Sequence, residues 1–77
     1  MVQKMIKLQD VSQVKAFNTA CMKAPFGIDI RQGKYLIDGK SIMGIFSLDL
    51  SAPLALEADT DDENAVQELF AAYLAKD

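Results

Sequence analysis

The chain has 77 residues, no histidine, one cysteine and a formal net charge of −3, and these features exclude several classes of protein. Hydrophobic residues make up 51% of the chain and charged residues 25%, a composition that is ordinary for a folded globular domain and excludes disorder. Eight Lys and Arg residues against eleven Asp and Glu residues do not supply the basic face that nucleic-acid binding requires.

The length of the chain and its lack of repeats, linkers and low-complexity tracts predict a single domain over residues 1–77. The only cysteine, Cys21, cannot form a disulfide within the chain, which fits a reducing compartment. Residues 1–10 contain no signal-peptide core, and no apolar run approaches the roughly 20 residues of a membrane span. We therefore expect a soluble, cytoplasmic protein.

The beginning of the chain predicts a strand followed by a helix. The strand is indicated by the apolar residues Met5, Ile6 and Leu8. Asp10 and, three residues later, Gln13 form the pattern of a capping box at a helix start, and Pro25 with Gly27 ends this first helix. Its apolar face is predicted to contain Val14, Phe17 and Cys21, with Ala20 and Ala24 beside them.

The middle of the chain predicts a hairpin and a second helix. Residues 28–30 alternate with period two, and residues 34–37 form another apolar-rich run after the turn signal Gln32-Gly33. Ser41 then has the character of an N-cap for a helix that extends to about Leu50.

The last third predicts a strand and a third helix. Pro53 excludes a helix at its own position, and residues 54–58 form the fourth predicted strand. Thr60-Asp61-Asp62-Glu63 has the pattern of a second capping box, with acidic residues at the positive end of the helix dipole. The following apolar stripe contains Val66, Leu69, Phe70, Tyr73 and Leu74. The order β-α-β-β-α-β-α predicts an α+β two-layer sandwich with its helices on one face of the sheet.

The segment Lys40-Ser-Ile-Met-Gly-Ile-Phe-Ser-Leu48 strongly resembles the second helix of the HPr-like family, the histidine-containing phosphocarrier proteins of the bacterial sugar phosphotransferase system. The element order and the acidic stretch around Ala58–Glu63 support this resemblance, which covers roughly residues 5–76. It implies an open-faced sandwich in which a four-stranded antiparallel sheet, in the order 1-4-2-3, carries three helices on one face.

In working phosphocarriers of this family, the acceptor histidine lies at the start of the first helix, in a Gly-Ile-His-Ala-Arg-Pro-like motif. Helix N–H groups and a nearby arginine hold the phosphate there. The resemblance places Asp10 at or beside the histidine position and Ser12 near the arginine position, so the acceptor site is degenerate. Since the chain has no histidine, no shift of the alignment restores the acceptor.

Asp10 has two interpretations. It is either an acyl-phosphate acceptor in place of the histidine, or an N-cap whose carboxylate satisfies helix N–H groups. The N-cap is favoured, because a carboxylate bonded to those groups repels an incoming phosphoryl anion. For Cys21, a small core residue is similarly favoured over a nucleophile.

The remaining chemistry-bearing residues do not predict an enzyme. Without histidine there is no Ser-His-Asp or Cys-His arrangement, and one cysteine forms no thiolate metal site. The acidic cluster Asp59, Asp61, Asp62 and Glu63 either holds a divalent cation loosely or complements the helix dipole, and the dipole suffices to explain it. We expect no cofactor and no metal.

Ser41 has two compatible interpretations. As an N-cap, it stabilises the second helix by about 1 kcal/mol. In Gram-positive relatives, the matching serine is phosphorylated by a dedicated ATP-dependent kinase, and the modified protein binds a transcription regulator. The resemblance therefore implies regulatory phosphorylation of Ser41, with Lys40 adjacent to the added charge.

The second helix also predicts a docking surface. At 100° per residue, Ile42, Met43 and Phe46 share one face, and Ile45 and Leu48 point largely the other way. If Ile45 and Leu48 face the sheet, the first three residues form a partly exposed apolar patch. In the family, the matching residues dock partner proteins, with a methionine at the position of Phe46. The alternative is a helix that rolls and buries Ile42 or Phe46.

The favoured function is a regulatory, protein-binding module without phosphocarrier activity, similar to the catabolite-repression HPr of some bacilli. The resemblance implies protein partners: phosphotransferase-system components, a serine kinase or a transcription regulator. We expect no nucleic-acid partner and no membrane insertion. Two alternatives stay open, namely a phosphocarrier that uses Asp10 as acceptor and an orphan domain of HPr fold with an unknown role.

Overall fold

A computed structural model describes residues 1–75, and within them four strands and three α-helices follow the predicted order. In chain order, the elements are β1 (Val2–Ile6), α1 (Val11–Lys23), β2 (Ile28–Gln32), β3 (Tyr35–Asp38), α2 (Ile42–Phe46), β4 (Leu54–Ala58) and α3 (Glu63–Phe70), followed by a 3₁₀ turn at Ala71–Tyr73. Residues 76 and 77, which the predicted domain includes, lie outside the described residues.

The four strands form one antiparallel sheet in the order β1-β4-β2-β3. In the central row, Leu56 of β4 lies between Lys4 of β1 and Ile30 of β2, and Ile37 of β3 is opposite Ile30. The three helices cover one face of this sheet. The predicted α+β open-faced sandwich is therefore confirmed.

The core lies between the covered face of the sheet and the helices. Its largest fully buried side chains are Phe17, Phe70, Ile6, Leu8, Ile28, Ile30, Ile45, Leu54, Leu56, Val14 and Val66. The Phe17 ring is 5.4 Å from the Phe70 ring and 5.5 Å from the Tyr73 ring, between centroids. Phe17 thus joins α1 to the end of α3, and burial of one such aromatic stabilises the fold by roughly 2–3 kcal/mol.

The predicted start of α1 is confirmed, with one difference in the capping box. The Asp10 carboxylate accepts a hydrogen bond from the Gln13 N–H at 2.8 Å. The Gln13 side chain accepts at 2.8 Å from the N–H of Gln9 rather than from that of the N-cap itself. Both side chains therefore satisfy backbone donors at the beginning of the helix.

The first strand lies earlier in the chain than predicted, because β1 ends at Ile6 and Leu8 is outside it although buried. Ile6 is opposite Leu54, so continuing the pairing would place Lys7 against Pro53. Proline has no N–H to extend the ladder. The Lys7 N–H donates instead to the Tyr73 carbonyl oxygen at 2.8 Å.

The hairpin turn is displaced by one residue from its predicted position, because Gln32 pairs with Tyr35 and the turn consists of Gly33 and Lys34. Gly33 has a φ of +58°, a left-handed value that glycine adopts without steric cost. A positive φ at the first of two turn residues matches the twist of a two-residue hairpin.

The second helix is shorter than predicted, because it ends at Phe46 rather than near Leu50. The backbone N–H of Asp49 donates to the Gln32 side-chain oxygen at 2.8 Å, and the Asp49 carbonyl oxygen accepts from the Gln32 amide at 2.8 Å. Because its N–H and carbonyl oxygen are bonded to the Gln32 side chain, Asp49 does not continue the hydrogen bonds of the helix. Ser47 helps to end the helix, since its hydroxyl donates to the Gly44 carbonyl oxygen at 2.6 Å.

The predicted capping box at Thr60–Glu63 is wrong in its assignment, because the N-cap of α3 is Asp62. Its carboxylate accepts from the Ala65 N–H at 3.1 Å. The Thr60 hydroxyl oxygen accepts from the Asp62 N–H at 3.1 Å and so fixes the turn before the helix. Glu63 is the first helical residue, and its carboxylate pairs with the Lys4 ammonium at 2.8 Å.

Candidate functional site

Ser41 is exposed and caps α2. Its hydroxyl oxygen accepts a hydrogen bond from the Gly44 N–H at 3.3 Å, and its own N–H donates to the Asp38 carbonyl oxygen at 2.9 Å. The cap interpretation of Ser41 is therefore confirmed. The Ser41 residue remains exposed at the protein surface.

The turn between β3 and Ser41 is held by three further hydrogen bonds. The Asp38 carboxylate accepts from the Lys40 N–H at 2.9 Å. The Gly39 N–H donates to the Ile28 carbonyl oxygen at 2.8 Å, and the Gly39 carbonyl oxygen accepts from the buried Asn18 side chain at 3.2 Å. Sheet and α1 together fix the position of Lys40 and Ser41.

An apolar patch of Ile42, Met43 and Phe46, hereafter the α2 patch, lies beside Ser41. Met43 is 77% exposed and Phe46 39% exposed, and Ile42 is half-buried against the core. Ile45 on the opposite face is completely buried. The predicted division of the helix into a sheet-facing side and an exposed side is confirmed, although Ile42 contributes less exposed surface than Met43. Clusters of large exposed apolar side chains on small proteins usually mark contact sites.

The start of α1, which the resemblance predicts to be the position of the acceptor site, holds Asp10 and Ser12, both exposed. One carboxylate oxygen of Asp10 is already bonded to the Gln13 N–H. Neither the side chain of Ser12 nor that of Asp10 pairs with a cationic side chain among the described residues. The arrangement caps a helix and offers no imidazole, since the chain contains none.

A groove of about 570 Å³ opens beside this helix start and was not predicted from the sequence. Its walls include Lys7, Gln9, Gln13, Pro53, Leu74 and Ala75. The Lys7 ammonium donates a hydrogen bond to the Ser51 carbonyl oxygen, so the one charged group in this list is engaged with the protein itself. The groove forms because the 3₁₀ turn returns the chain to β1, a long-range contact that no local motif indicates.

Cys21 is a completely buried member of the core, which confirms its structural interpretation. Burial raises the pKa of its thiol to about 12, with a smaller contribution from the Asp38 carboxylate. The thiol is therefore protonated and inaccessible in the folded protein. Among residues 1–75, no group of three or more Cys, Asp and Glu side chains is arranged to hold a metal ion.

The arrangement of elements is that of a known family. The chain superposes on the crystal structure of HPr-C-His from Thermoanaerobacter tengcongensis with a TM-score of 0.77 and 26% identity, covering 92% of this chain and 89% of that one. It superposes on the phosphocarrier protein HPr from Bacillus anthracis str. Ames with a TM-score of 0.72 and 25% identity, covering 96% of each chain. No protein-family model and no curated protein sequence matches it significantly.

These likenesses and the sheet order define an HPr-like open-faced sandwich. The chain is therefore similar, in fold and over most of its sequence, to HPr phosphocarrier proteins. In the described part of the chain, no helix is both long enough and apolar enough to cross a membrane.

Proposed function

We propose that this protein is a regulatory, protein-binding member of the HPr-like family that does not carry phosphoryl groups. The proposal depends on one juxtaposition: exposed Met43 and Phe46 lie on the same short helix as the exposed hydroxyl of Ser41, in a chain without histidine. Imidazole is nucleophilic when neutral near pH 7, and no other side chain here combines that property with exposure. The protein acts by binding, not as an enzyme, and works in the cytoplasm.

The α2 patch is the proposed contact surface for protein partners. A partner that covers Met43 and Phe46 gains apolar burial at about 25 cal/mol for each Å² removed from water. Because Ile45 is buried and Ser41 caps the helix, the patch is presented by a positioned backbone. Such preorganisation lowers the entropic cost of docking.

Ser41 is the proposed switch for this surface. Phosphorylation would add about −1.5 to −2 charges and three strong acceptor oxygens at the edge of the patch. Lys40 precedes Ser41 directly and offers a cation to the modified residue, whereas Asp38, two residues before Lys40, is an anion. The modification would therefore favour partners that bring a basic group next to an apolar contact. Phosphotransferase-system components, a serine kinase and a transcription regulator are the proposed partners.

The loss of phosphocarrier activity is tested by incubating the protein with phosphoenolpyruvate and the general phosphotransferase enzyme. Mass spectrometry is expected to find no phosphate on residues 8–14, and the HPr of Bacillus anthracis serves as the positive control. Hydroxylamine-sensitive phosphate on Asp10 would replace the regulatory function with phosphoryl transfer through an acyl phosphate. The variant D10N, which keeps a capping oxygen, would then abolish the signal.

The docking function is tested by titrating the serine kinase and a transcription regulator that binds serine-phosphorylated relatives. Met43→Ala is expected to weaken binding by about 1–2 kcal/mol, in the range of a moderate interface residue. Met22→Ala is the matched control, since Met22 is a 65% exposed methionine on α1 outside the α2 patch. If both substitutions weakened binding equally, the α2 patch would not be the contact surface. If the unaltered protein bound neither partner, the docking function would be wrong and the chain would be an HPr-fold domain with another role.

A further inference from the structure

The two edge strands of the sheet, β1 and β3, differ in whether another segment pairs with their outer side. At the β1 edge, the segment after α3 returns and pairs with the strand: Ala75 donates its N–H to the Met5 carbonyl oxygen at 2.9 Å, and the Tyr73 carbonyl oxygen accepts from Lys7. At the β3 edge, no segment among residues 1–75 pairs with the outer side of the strand. The β1 edge is thus covered at residues 5–7, whereas the β3 edge is open along its length within the described residues.

The open edge presents backbone groups at alternate residues. The Gly39 N–H donates to the Ile28 carbonyl oxygen, and this bond identifies which residue pairs between β2 and β3 are hydrogen-bonded. Because hydrogen-bonded and non-hydrogen-bonded pairs alternate in antiparallel strands, the backbone N–H and carbonyl groups of Leu36 and Asp38 point away from β2. The Asp38 carbonyl oxygen already accepts from the Ser41 N–H at 2.9 Å, so Leu36 is the centre of the open edge. Leu36 makes no hydrogen bond outside the ladder in the described part of the chain. An unpaired strand edge of this kind is a template for another strand.

We propose that the β3 edge pairs with the β3 edge of a second copy of this chain, antiparallel and centred on Leu36. This register places Leu36 opposite Leu36 of the partner copy. At both ends, Lys34, the second residue of the hairpin turn, lies beside Asp38 of the other copy. The sequence Lys34-Tyr-Leu-Ile-Asp38 is therefore self-complementary in charge and in apolar character. The resulting contact is isologous and closes as a two-fold dimer with one continuous sheet.

Charge selects this register over its neighbours. A shift of two residues brings a charged side chain against Leu36, and pairing centred on Asp38 or Lys34 opposes like charges. In the isolated chain, Asp38 lies directly opposite Asp29 on β2, an unfavourable like-charge pair. The Lys34 ammonium of the second copy would compensate this pair on the uncovered face of the sheet. Leu36, which is 51% exposed, would be covered at the same time.

The experiment is sedimentation velocity on the full chain from about 10 µM to 1 mM, because a contact along one short strand makes a weak, concentration-dependent dimer. The substitutions K34D and D38K are each expected to weaken dimerisation at least about tenfold, since each opposes like charges at two positions. An equimolar mixture of the two variants restores opposite charges at both positions, so it is expected to form the heterodimer. The matched control K15D changes the same charge type on α1 and is expected to dimerise normally.

Recovery in the mixture also shows that both variants are folded, because unfolded chains would not pair. Amide chemical shifts of residues 34–38 in the unaltered protein are expected to change with concentration, whereas those of the α2 patch stay constant. A chain that is monomeric at every concentration would overturn the proposal. So would a dimer that K34D leaves intact, or a mixture that stays monomeric. A monomeric chain leaves the proposed function untouched, because that function rests on the α2 patch and on other partners.

Discussion

The side-chain amide of Asn18 donates a hydrogen bond to the carbonyl oxygen of Gly39, 3.2 Å away, and this bond connects α1 to the turn that carries Ser41. Asn18 is 8% exposed and is the only polar residue among the buried side chains described. Buried polar groups are retained where a specific partner satisfies them. Here the partner is the Gly39 carbonyl oxygen. Because Gly39 lies in the turn that leads into α2, the bond helps to fix the position of the α2 patch.

Replacing Asn18 by alanine is expected to lower the free energy of unfolding by about 1–2 kcal/mol, because the carbonyl oxygen of Gly39 loses its donor in a buried position. Urea unfolding followed by circular dichroism measures the change. Asn64→Ala is the matched control at an exposed helical position, with an expected effect within about 0.5 kcal/mol. Equal losses in the two variants would show that the Asn18 bond contributes nothing measurable.

Gly39→Ala is expected to destabilise the protein by about 1–3 kcal/mol through overpacking. A Cβ atom at this position would lie 2.9 Å from Ile28 Cγ2, 3.0 Å from Cys21 Sγ and 3.2 Å from the Ile28 carbonyl oxygen. Since that oxygen belongs to the sheet backbone, it cannot move away cheaply. The measurement is again the urea midpoint.

The control for Gly39→Ala is Gly27→Ala. A Cβ atom at Gly27 would meet only the Asp59 Cβ, at 3.8 Å, which is ordinary van der Waals contact. This second variant is expected to have unchanged or slightly raised stability, because alanine restricts the unfolded chain more than glycine does. If Gly39→Ala proved as stable as Gly27→Ala, the close packing of the turn on Cys21 and Ile28 would be contradicted.

The element order and the sheet topology were predictable, because the apolar periodicity of each segment is local and the family resemblance supplies the strand order. The division of α2 into Ile45 inside and Met43 outside also follows from spacing along a helix. The end of α2 was not predictable. It depends on Gln32, 17 residues from Asp49 in the chain, whose side chain bonds the backbone on both sides of that residue.

Competition between capping residues explains the other errors. Thr60, Asp61 and Asp62 can each cap a helix, and the sequence pattern favoured Thr60 because Glu63 follows three residues later. The chain instead uses Asp62 as the cap, and Glu63 pairs with Lys4 of β1. That ion pair is long-range, so no local pattern contains it. The groove beside Asp10 escaped prediction for the same reason, since the 3₁₀ turn forms one of its walls.

Asp10→Ala is expected to reduce the free energy of unfolding by about 0.5–2 kcal/mol, the usual cost of removing an N-cap side chain. The Gln13 N–H loses its acceptor in this variant. Asp10→Asn keeps a side-chain oxygen and is expected to retain most of the stability, which makes it the matched control. A stability of Asp10→Ala equal to that of the unaltered protein would contradict the capping role that the structure gives this residue.

The ion pair between Lys4 and Glu63 is expected to contribute to stability only above the acid range. The hydrogen bond from the Lys4 ammonium, together with its charge, lowers the pKa of the Glu63 carboxyl from its ordinary value of 4.5. Because the pKa is lower in the folded than in the unfolded chain, the contribution is complete above about pH 4.5 and disappears as the pH falls through the lowered pKa. Exposure of Glu63 keeps the effect small.

The substitution Lys4→Met tests this linkage. A carbon-detected NMR titration is expected to show a higher pKa for Glu63 in this variant than in the unaltered protein. Lys15→Met, on the exposed side of α1, is expected to leave the Glu63 titration unchanged. If both variants gave the same Glu63 pKa, the ion pair would not form in solution.

The thiol of Cys21 is expected to react with an aromatic disulfide reagent only when the protein opens. Burial raises its pKa to about 12, and it has no exposed surface, so neither the thiolate nor access to it is available in the folded state. At pH 8 the reaction is expected to be at least about a thousandfold slower than in urea-unfolded protein, in proportion to the small unfolded fraction. The variant Ser12→Cys adds an exposed thiol to the same chain and is expected to show one fast and one slow reaction. A Cys21 that reacts on mixing in native buffer would mean that the contact between α1 and the Gly39 turn is not closed in solution.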